Sequence, residues 1–313
     1  MIVPLSSVVR RVSTPWLFRR SSFLQVTVAA VTLLGTGDVR VHGQARNPSS
    51  TPSDVVSGFV AVGGGRIFYE SAGQGRAVVL IHDGVLHRET WDAQFLEFSR
   101  SFRTIRWDRR GYGQSPAPQS PFSHVDDLHE VMKALQIDGA ALIGCSAGGM
   151  LALHFALDHP SMVNALVLVG PIVSGMPFSE HFVTRGGRGQ PPPGSPIEAR
   201  TTYWTSTDPW IVAPTSTDAK RRMRELLIAH PTNGAGGQHA RWSEPALGRL
   251  AQIKVPTLLI TGESDIPDVH AHMGAIQARI SGAKRVVLPR AGHLPHLEVP
   301  ETFNAEVTKF LGT

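Results

Sequence analysis

Four short stretches carry residues whose types and spacing suit nucleophilic acyl chemistry. Gly144-Cys145-Ser146-Ala147-Gly148 sets a serine between two glycines at the end of an apolar run, Ala140 to Ile143. A strand that turns sharply into a helix at this serine crowds the residues two before and two after it, where a residue without a Cβ fits. Such a turn lifts the Ser146 hydroxyl above the sheet. It leaves the Ala147 N–H at a helix N-terminus facing the same space, so a nucleophile and half of an oxyanion hole arrive together. A serine hydroxyl is a poor nucleophile until a base takes its proton. His293, in Ala291-Gly292-His293-Leu294-Pro295-His296, offers an imidazole that titrates near neutrality. Asp265, in Gly262-Glu263-Ser264-Asp265, is suited to hold the other ring N–H, fix the tautomer and stabilise the imidazolium. Gly84, in His82-Asp83-Gly84, is suited to supply the second oxyanion-hole N–H.

Each of these residues falls just past an apolar run of the buried-strand type. Ala77 to His82 precedes Gly84, Thr257 to Thr261 precedes Asp265, and Arg285 to Leu288 precedes His293. Further strands are expected at 66–70, 102–107 and 165–169, with Gly64-Gly65 as a hairpin turn. Helical spacing marks 91–98, 124–135, 149–157, 218–229, 269–280 and 300–311. Strands alternating with helices predict an α/β fold with a mainly parallel sheet and helices on both faces. Sites in such sheets form at the carboxyl ends of the strands. From about Pro171 to Arg241 the rhythm stops. Glycine and proline cluster at 186–194, Trp204, Trp210 and Trp242 appear, and no strand pattern repeats. This stretch reads as an inserted helical lid, its tryptophans serving either the pocket or the lid's own core.

Taken together, the motifs resemble the α/β-hydrolase superfamily, in its branch of lid-bearing serine esterases, enol-lactonases, cofactor-free haloperoxidases and C–C hydrolases. The resemblance covers roughly Gly58 to Leu311. It rests on His82-Asp83-Gly84 with Trp91, Asp108-x-Arg110-Gly-x-Gly-x-Ser115, the serine turn, Gly262-Glu263-x-Asp265, and Gly292-His293-x-Pro295-x-x-Glu298-x-Pro300. It implies Ser146 as nucleophile, Asp265 as acid, His293 as base and the Gly84 and Ala147 amides as oxyanion hole, with no cofactor and a small to medium carboxylic ester or lactone as substrate. Asp83 departs from the pattern, since many members have glycine there. The serine at 146 argues against the dehalogenase and epoxide hydrolase branches, which use aspartate. A C–C bond hydrolase or a perhydrolase would use the same triad, and a non-catalytic binder would have no need to keep all three groups.

The competing assignments are structural. His296 is read as a pocket wall or surface residue, Asp268 as a helix N-cap, and His82 as a hydrogen-bonding partner of nearby backbone. Glu263 is the other acid near Asp265. Asp108 and Arg110 are read as pins between loops, and Cys145 as a small packing residue. Fourteen histidines show no H-x-x-x-H pattern, so no metal is expected. A single cysteine excludes an internal disulfide framework.

The net charge of +5 belongs to the first 46 residues, which hold six arginines against one aspartate. The remaining 24 basic and 24 acidic residues balance, which argues against nucleic-acid binding. Residues 1–45 read as an export signal, with arginines before an apolar run from Phe23 to Gly35 that is short for a membrane anchor. This makes a periplasmic or secreted protein the expectation, or a cytoplasmic one if the start codon lies further on. Residues 46–57 read as a linker, leaving 58–313 as the folded domain.

Overall fold

The computed structural model of the protein describes residues 55–185, 189, 191 and 195–312. The export-signal reading therefore lies outside the described residues. The chain opens with the hairpin β1 (Val56–Val62) and β2 (Gly65–Ala72). Strand β3 (Ala77–Ile81), α1 (Asp92–Phe98), β4 (Arg103–Trp107), the two-residue β5 (Phe122–Ser123) and α2 (His124–Ala134) follow. Next come β6 (Ala140–Cys145), α3 (Ala147–Asp158) and β7 (Val163–Val169). Helices α4 (Glu180–Thr184), α5 (Ile197–Thr202) and α6 (Thr217–Ala229) and the short β8 (Ala240–Arg241) precede β9 (Thr257–Gly262). The chain closes with α7 (Pro267–Gln277), β10 (Lys284–Leu288), α8 (Pro295–Glu298) and α9 (Pro300–Leu311).

Eight strands form one sheet in the order β1-β2-β4-β3-β6-β7-β9-β10. Only β2 runs against its neighbours β1 and β4, and all pairings from β4 to β10 are parallel. The central strands β6 and β9 are buried at every residue, as expected where helices cover both faces. Their apolar runs lack polar alternation for the same reason. Strand β1 begins at Val56, two residues before the domain start read from the sequence.

The crossover between β7 and β9 holds α4, α5 and α6. The expectation of no strand in this stretch is corrected at one point: β8 pairs in parallel with β5, Phe122 beside Ala240 and Ser123 beside Arg241. Two residues give no periodicity to read, and their pairing depends on contact across more than a hundred positions. Among the described residues no helix is long and apolar enough to cross a membrane.

Candidate active site

The turn from β6 into α3 forces Ser146 to φ 54° and ψ −113°, a region that side chains other than glycine avoid. Holding a residue there costs about 1–3 kcal/mol and persists only where the surroundings impose it. The surroundings do so here. Ser146 N–H donates to the Val169 carbonyl at 2.8 Å, and Ser146 C=O accepts from Met150 N–H at 3.0 Å. A Cβ on Gly144 would lie 2.3 Å from the Gly148 carbonyl, and one on Gly148 would lie 2.3 Å from that of Ile81. The flanking glycines are thus set by the close approach of backbone to backbone, as the turn requires. Cys145 is fully buried and its thiol points to the His293 carbonyl, 3.9 Å away.

The two amides proposed for the oxyanion hole are neighbours. A Cβ on Gly84 would sit 3.5 Å from that of Ala147. The Asp83–Gly84 peptide is held by its carbonyl, which accepts from His82 Nδ1 at 2.8 Å and from Arg109 Nη2. In a trans peptide the N–H points away from the carbonyl, so these two bonds aim the Gly84 N–H. Among the described residues neither the Gly84 nor the Ala147 amide has an acceptor in the protein. His82 Nε2 accepts from Arg109 N–H at 3.0 Å. Burial, and then the Arg109 charge, holds the His82 imidazole well below its ordinary range. It is a neutral structural group, as read from the sequence. The Asp83 carboxylate turns inward and accepts from the amides of Val85 at 2.6 Å and Leu86 at 2.9 Å, shaping the loop. Tyr112, which sequence reasoning passed over, donates from its hydroxyl to the Gly84 carbonyl at 3.0 Å.

Asp265 and His293 are in direct contact. His293 Nδ1–H donates to Asp265 Oδ1 at 2.8 Å. The same carboxylate accepts from Ile266 N–H at 2.6 Å and from the Thr261 hydroxyl at 2.7 Å, so it is fixed from three sides. With its proton on Nδ1, the ring keeps a lone pair on Nε2, the state a general base needs. Burial pulls the His293 pKa down. The Asp265 charge and hydrogen bond outweigh it, and the net direction is up. Ser146 reaches this pair through backbone. Gly170, next after the Val169 that holds Ser146, packs so closely that a Cβ there would lie 2.9 Å from His293 Nδ1 and 3.0 Å from Asp265 Oδ2. Among the described residues the Ser146 hydroxyl makes no hydrogen bond to the imidazole, and such contacts often close only around substrate.

The His293 loop is clamped by the crossover segment. His293 N–H donates to the Trp210 carbonyl at 2.8 Å. The half-buried Glu298 carboxylate accepts from Gly292 N–H at 2.9 Å, Leu294 N–H at 3.3 Å, Ala213 N–H at 2.7 Å and the Ser216 hydroxyl at 3.0 Å. Burial raises the Glu298 pKa against the pull of these donors. Because every contact is a donor to the carboxylate, Glu298→Gln turns an NH₂ toward N–H groups and leaves buried donors unmet. The expected cost is about 2 kcal/mol. Thermal unfolding should fall by about 4–6 °C, which calorimetry of the two proteins will measure.

Two secondary assignments are corrected. His296 lies neither on a pocket wall nor at the surface. It is fully buried, stacked on Trp91 with centroids 4.1 Å apart, and its Nε2 meets the Thr90 hydroxyl at 2.9 Å. Burial, then the His293 charge, drives its pKa down to about 3. Asp268 is not the N-cap of α7. Ile266 holds that position and Pro267 the first turn, where its fixed φ suits helix initiation. Asp268 instead accepts from the Ser179 amide and hydroxyl, both at 2.7 Å, tying the start of α4 to α7. The expected pins are present: Arg110 grips Asp127 through two nitrogens at 2.7 and 2.8 Å, and Asp108 accepts from Arg88 N–H and Nη1, both at 2.9 Å. Glu263 stands apart from the histidine and accepts from Arg290 N–H at 3.4 Å.

A sequence model of the alpha/beta hydrolase fold matches residues 76–300, and the chain belongs to that family. A 2-hydroxy-6-oxo-6-(2'-aminophenyl)hexa-2,4-dienoic acid hydrolase of Metapseudomonas resinovorans is 27% identical over 277 residues, covering 83% of this chain and 92% of the relative. Among solved structures, a thermophilic esterase from Thermogutta terrifontis aligns with TM-score 0.67 and 25% identity over 83% of this chain and 98% of its own. The enol-lactonase from Burkholderia xenovorans aligns with TM-score 0.70 and 24% identity over 82% and 100%, a likeness of fold. The protein is a member of the hydrolase superfamily with a site for a small-molecule substrate.

Proposed function

We propose that the protein is a serine hydrolase of small to medium carboxylic esters or lactones, working through an acyl-enzyme. Ser146 Oγ attacks the carbonyl carbon while its proton passes to His293 Nε2. The negative charge that forms on the carbonyl oxygen faces the Ala147 and Gly84 amides, each such donor lowering the barrier by about 3 kcal/mol. The imidazolium, held by Asp265, gives its proton to the leaving alkoxide. Water then attacks the acyl-enzyme by the same route, and Ser146 regains its proton as the acid departs. The observation that carries this reading is the 2.8 Å bond from His293 to Asp265, beside a strained serine and two amides without acceptors among the described residues. Family membership and the likeness to an esterase support it.

The dienoic acid hydrolase relative favours one second reading, a C–C bond hydrolase of vinylogous diketones using the same groups. A chain-length series of p-nitrophenyl esters, lactones and dienoates, assayed on the purified protein, separates the two. Ester or lactone turnover exceeding that of dienoates in kcat/KM is the expected result. The reverse ranking overturns the ester reading, and failure of Ser146 to label with a fluorophosphonate overturns both.

A further inference from the structure

We infer that His87, Glu89 and His230 form a binding site for a divalent zinc-class cation that fastens the end of α6 to the loop following the Gly84 amide. Each residue offers a ligand atom, and these atoms all lie within 4.8 Å of one another. Two imidazoles and one carboxylate are a borderline-to-hard donor set that suits Zn²⁺, Co²⁺ or Ni²⁺ over Ca²⁺ or Mg²⁺, which favour oxygen shells. The cluster joins separate parts of the fold. His87 and Glu89 follow the 82–86 loop, and His230 caps the C-terminus of α6.

A second observation points to a ligand. His87 is fully buried, and among the described residues its Nε2 has no hydrogen-bond partner. That nitrogen faces Glu89 Oε2 at 3.8 Å, too long for a hydrogen bond, and the His87 and His230 rings meet edge to face with centroids 4.3 Å apart. A buried polar atom left unpaired is costly. A tetrahedral ion at about 2.0–2.2 Å from each ligand needs these atoms to draw in by roughly an ångström, and leaves its fourth position to water. Arg222 Nη2 also approaches Glu89 Oε2, at 3.8 Å. It can yield that contact because Asp92 holds it more closely, at 2.5 Å.

Cation binding at Nε2 moves the remaining ring proton to Nδ1. That atom now accepts from Asn233 Nδ2 at 3.2 Å, so the Asn233 amide must turn its oxygen toward the ring. Amide oxygen and nitrogen are exchanged by a half-turn about one bond. The Gly113 N–H, which donates to Asn233 Oδ1 at 3.0 Å, then loses its acceptor. A carboxylate at 233 serves both donors, as partners of metal-bound imidazoles commonly do, and gives up only the long 3.4 Å bond from Asn233 Nδ2 to the Val85 carbonyl.

Full-length protein freed of metal by EDTA and then titrated with ZnCl₂ tests this. One equivalent should bind, and zinc at a hundredfold excess over its dissociation constant should raise the unfolding temperature by about 5 °C. Glu89→Gln and His230→Gln should each abolish that shift. Asn233→Asp should tighten binding by about tenfold. Co²⁺ should give the visible absorption of a tetrahedral centre in the parent and none in Glu89→Gln. No stabilisation by zinc, or an equal shift in both glutamine variants, overturns the inference. Should one variant fail to fold, the sign of the Asn233→Asp effect decides, and unchanged or weaker binding there rejects the site. Because Ser146 labelling by a fluorophosphonate reads the catalytic serine separately, loss of the zinc site and loss of the hydrolase reading are distinguishable.

Discussion

Replacing Ser146 by alanine is expected to lower kcat on the best ester substrate by about 10⁴- to 10⁶-fold, the scale found when a catalytic nucleophile is removed. Stability should barely move, because alanine keeps the Cβ that strains the turn and the hydroxyl bonds no group among the described residues. A change within about 0.5 kcal/mol is expected. Ser146→Gly sharpens the test. Glycine tolerates the φ of 54°, so relief of strain should outweigh its added chain entropy and stabilise the protein by about 1 kcal/mol. Both variants should be inactive while one is more stable than the parent, a pattern of strain kept for function. Calorimetry with steady-state kinetics reads both quantities. Retained turnover in either variant would remove Ser146 from the mechanism, and destabilisation by Ser146→Gly would mean that the turn is not strained.

The parts of this site that could be read from the sequence are those that local chemistry dictates. Gly144 and Gly148 announce a turn because backbone atoms come within 2.3 Å of where a Cβ would stand, and no other residue solves that problem. The apolar runs of β6 and β9 announce a covered sheet because both faces are buried. Asp265 and His293 follow such strands, so their meeting is a consequence of strand order. What stayed hidden depends on contacts between distant elements. The burial of His296 comes from Trp91 and Thr90, about two hundred positions away. The role of Asp268 comes from Ser179, 89 positions earlier in the chain and at the start of the crossover. His87, Glu89 and His230 have no spacing to find, since 141 positions separate Glu89 from His230. The β5–β8 pairing is two residues long, below any periodicity.

Asp265→Asn should lower kcat/KM by about 10²- to 10³-fold, less than the roughly 10⁴-fold seen where an amide forces the histidine into the wrong tautomer. The difference follows from the three bonds at this carboxylate. Oδ1 accepts from both His293 Nδ1 and Ile266 N–H, so an asparagine oxygen placed there satisfies both. The new NH₂ then faces the Thr261 hydroxyl in place of Oδ2. That hydroxyl can reverse, accepting from the amide and donating to the Gly262 carbonyl at 3.4 Å. The tautomer with a free Nε2 survives, and what is lost is the negative charge beside the imidazolium. In the parent the His293 pKa is raised above the free-imidazole value of about 6.5. The base must be neutral to act, so activity falls as pH drops through that raised pKa. Without the carboxylate, burial is opposed only by the weaker pull of the Asp83 charge and the pKa moves down, which carries the acid limb of the kcat/KM profile to lower pH. The residual activity of the variant should therefore persist into acid where the parent has stopped. An acid limb that does not move would show that another group sets it, and His293 would lose its place as the base. A loss as large as for Ser146→Ala would mean that the asparagine turns over and traps the ring in the other tautomer.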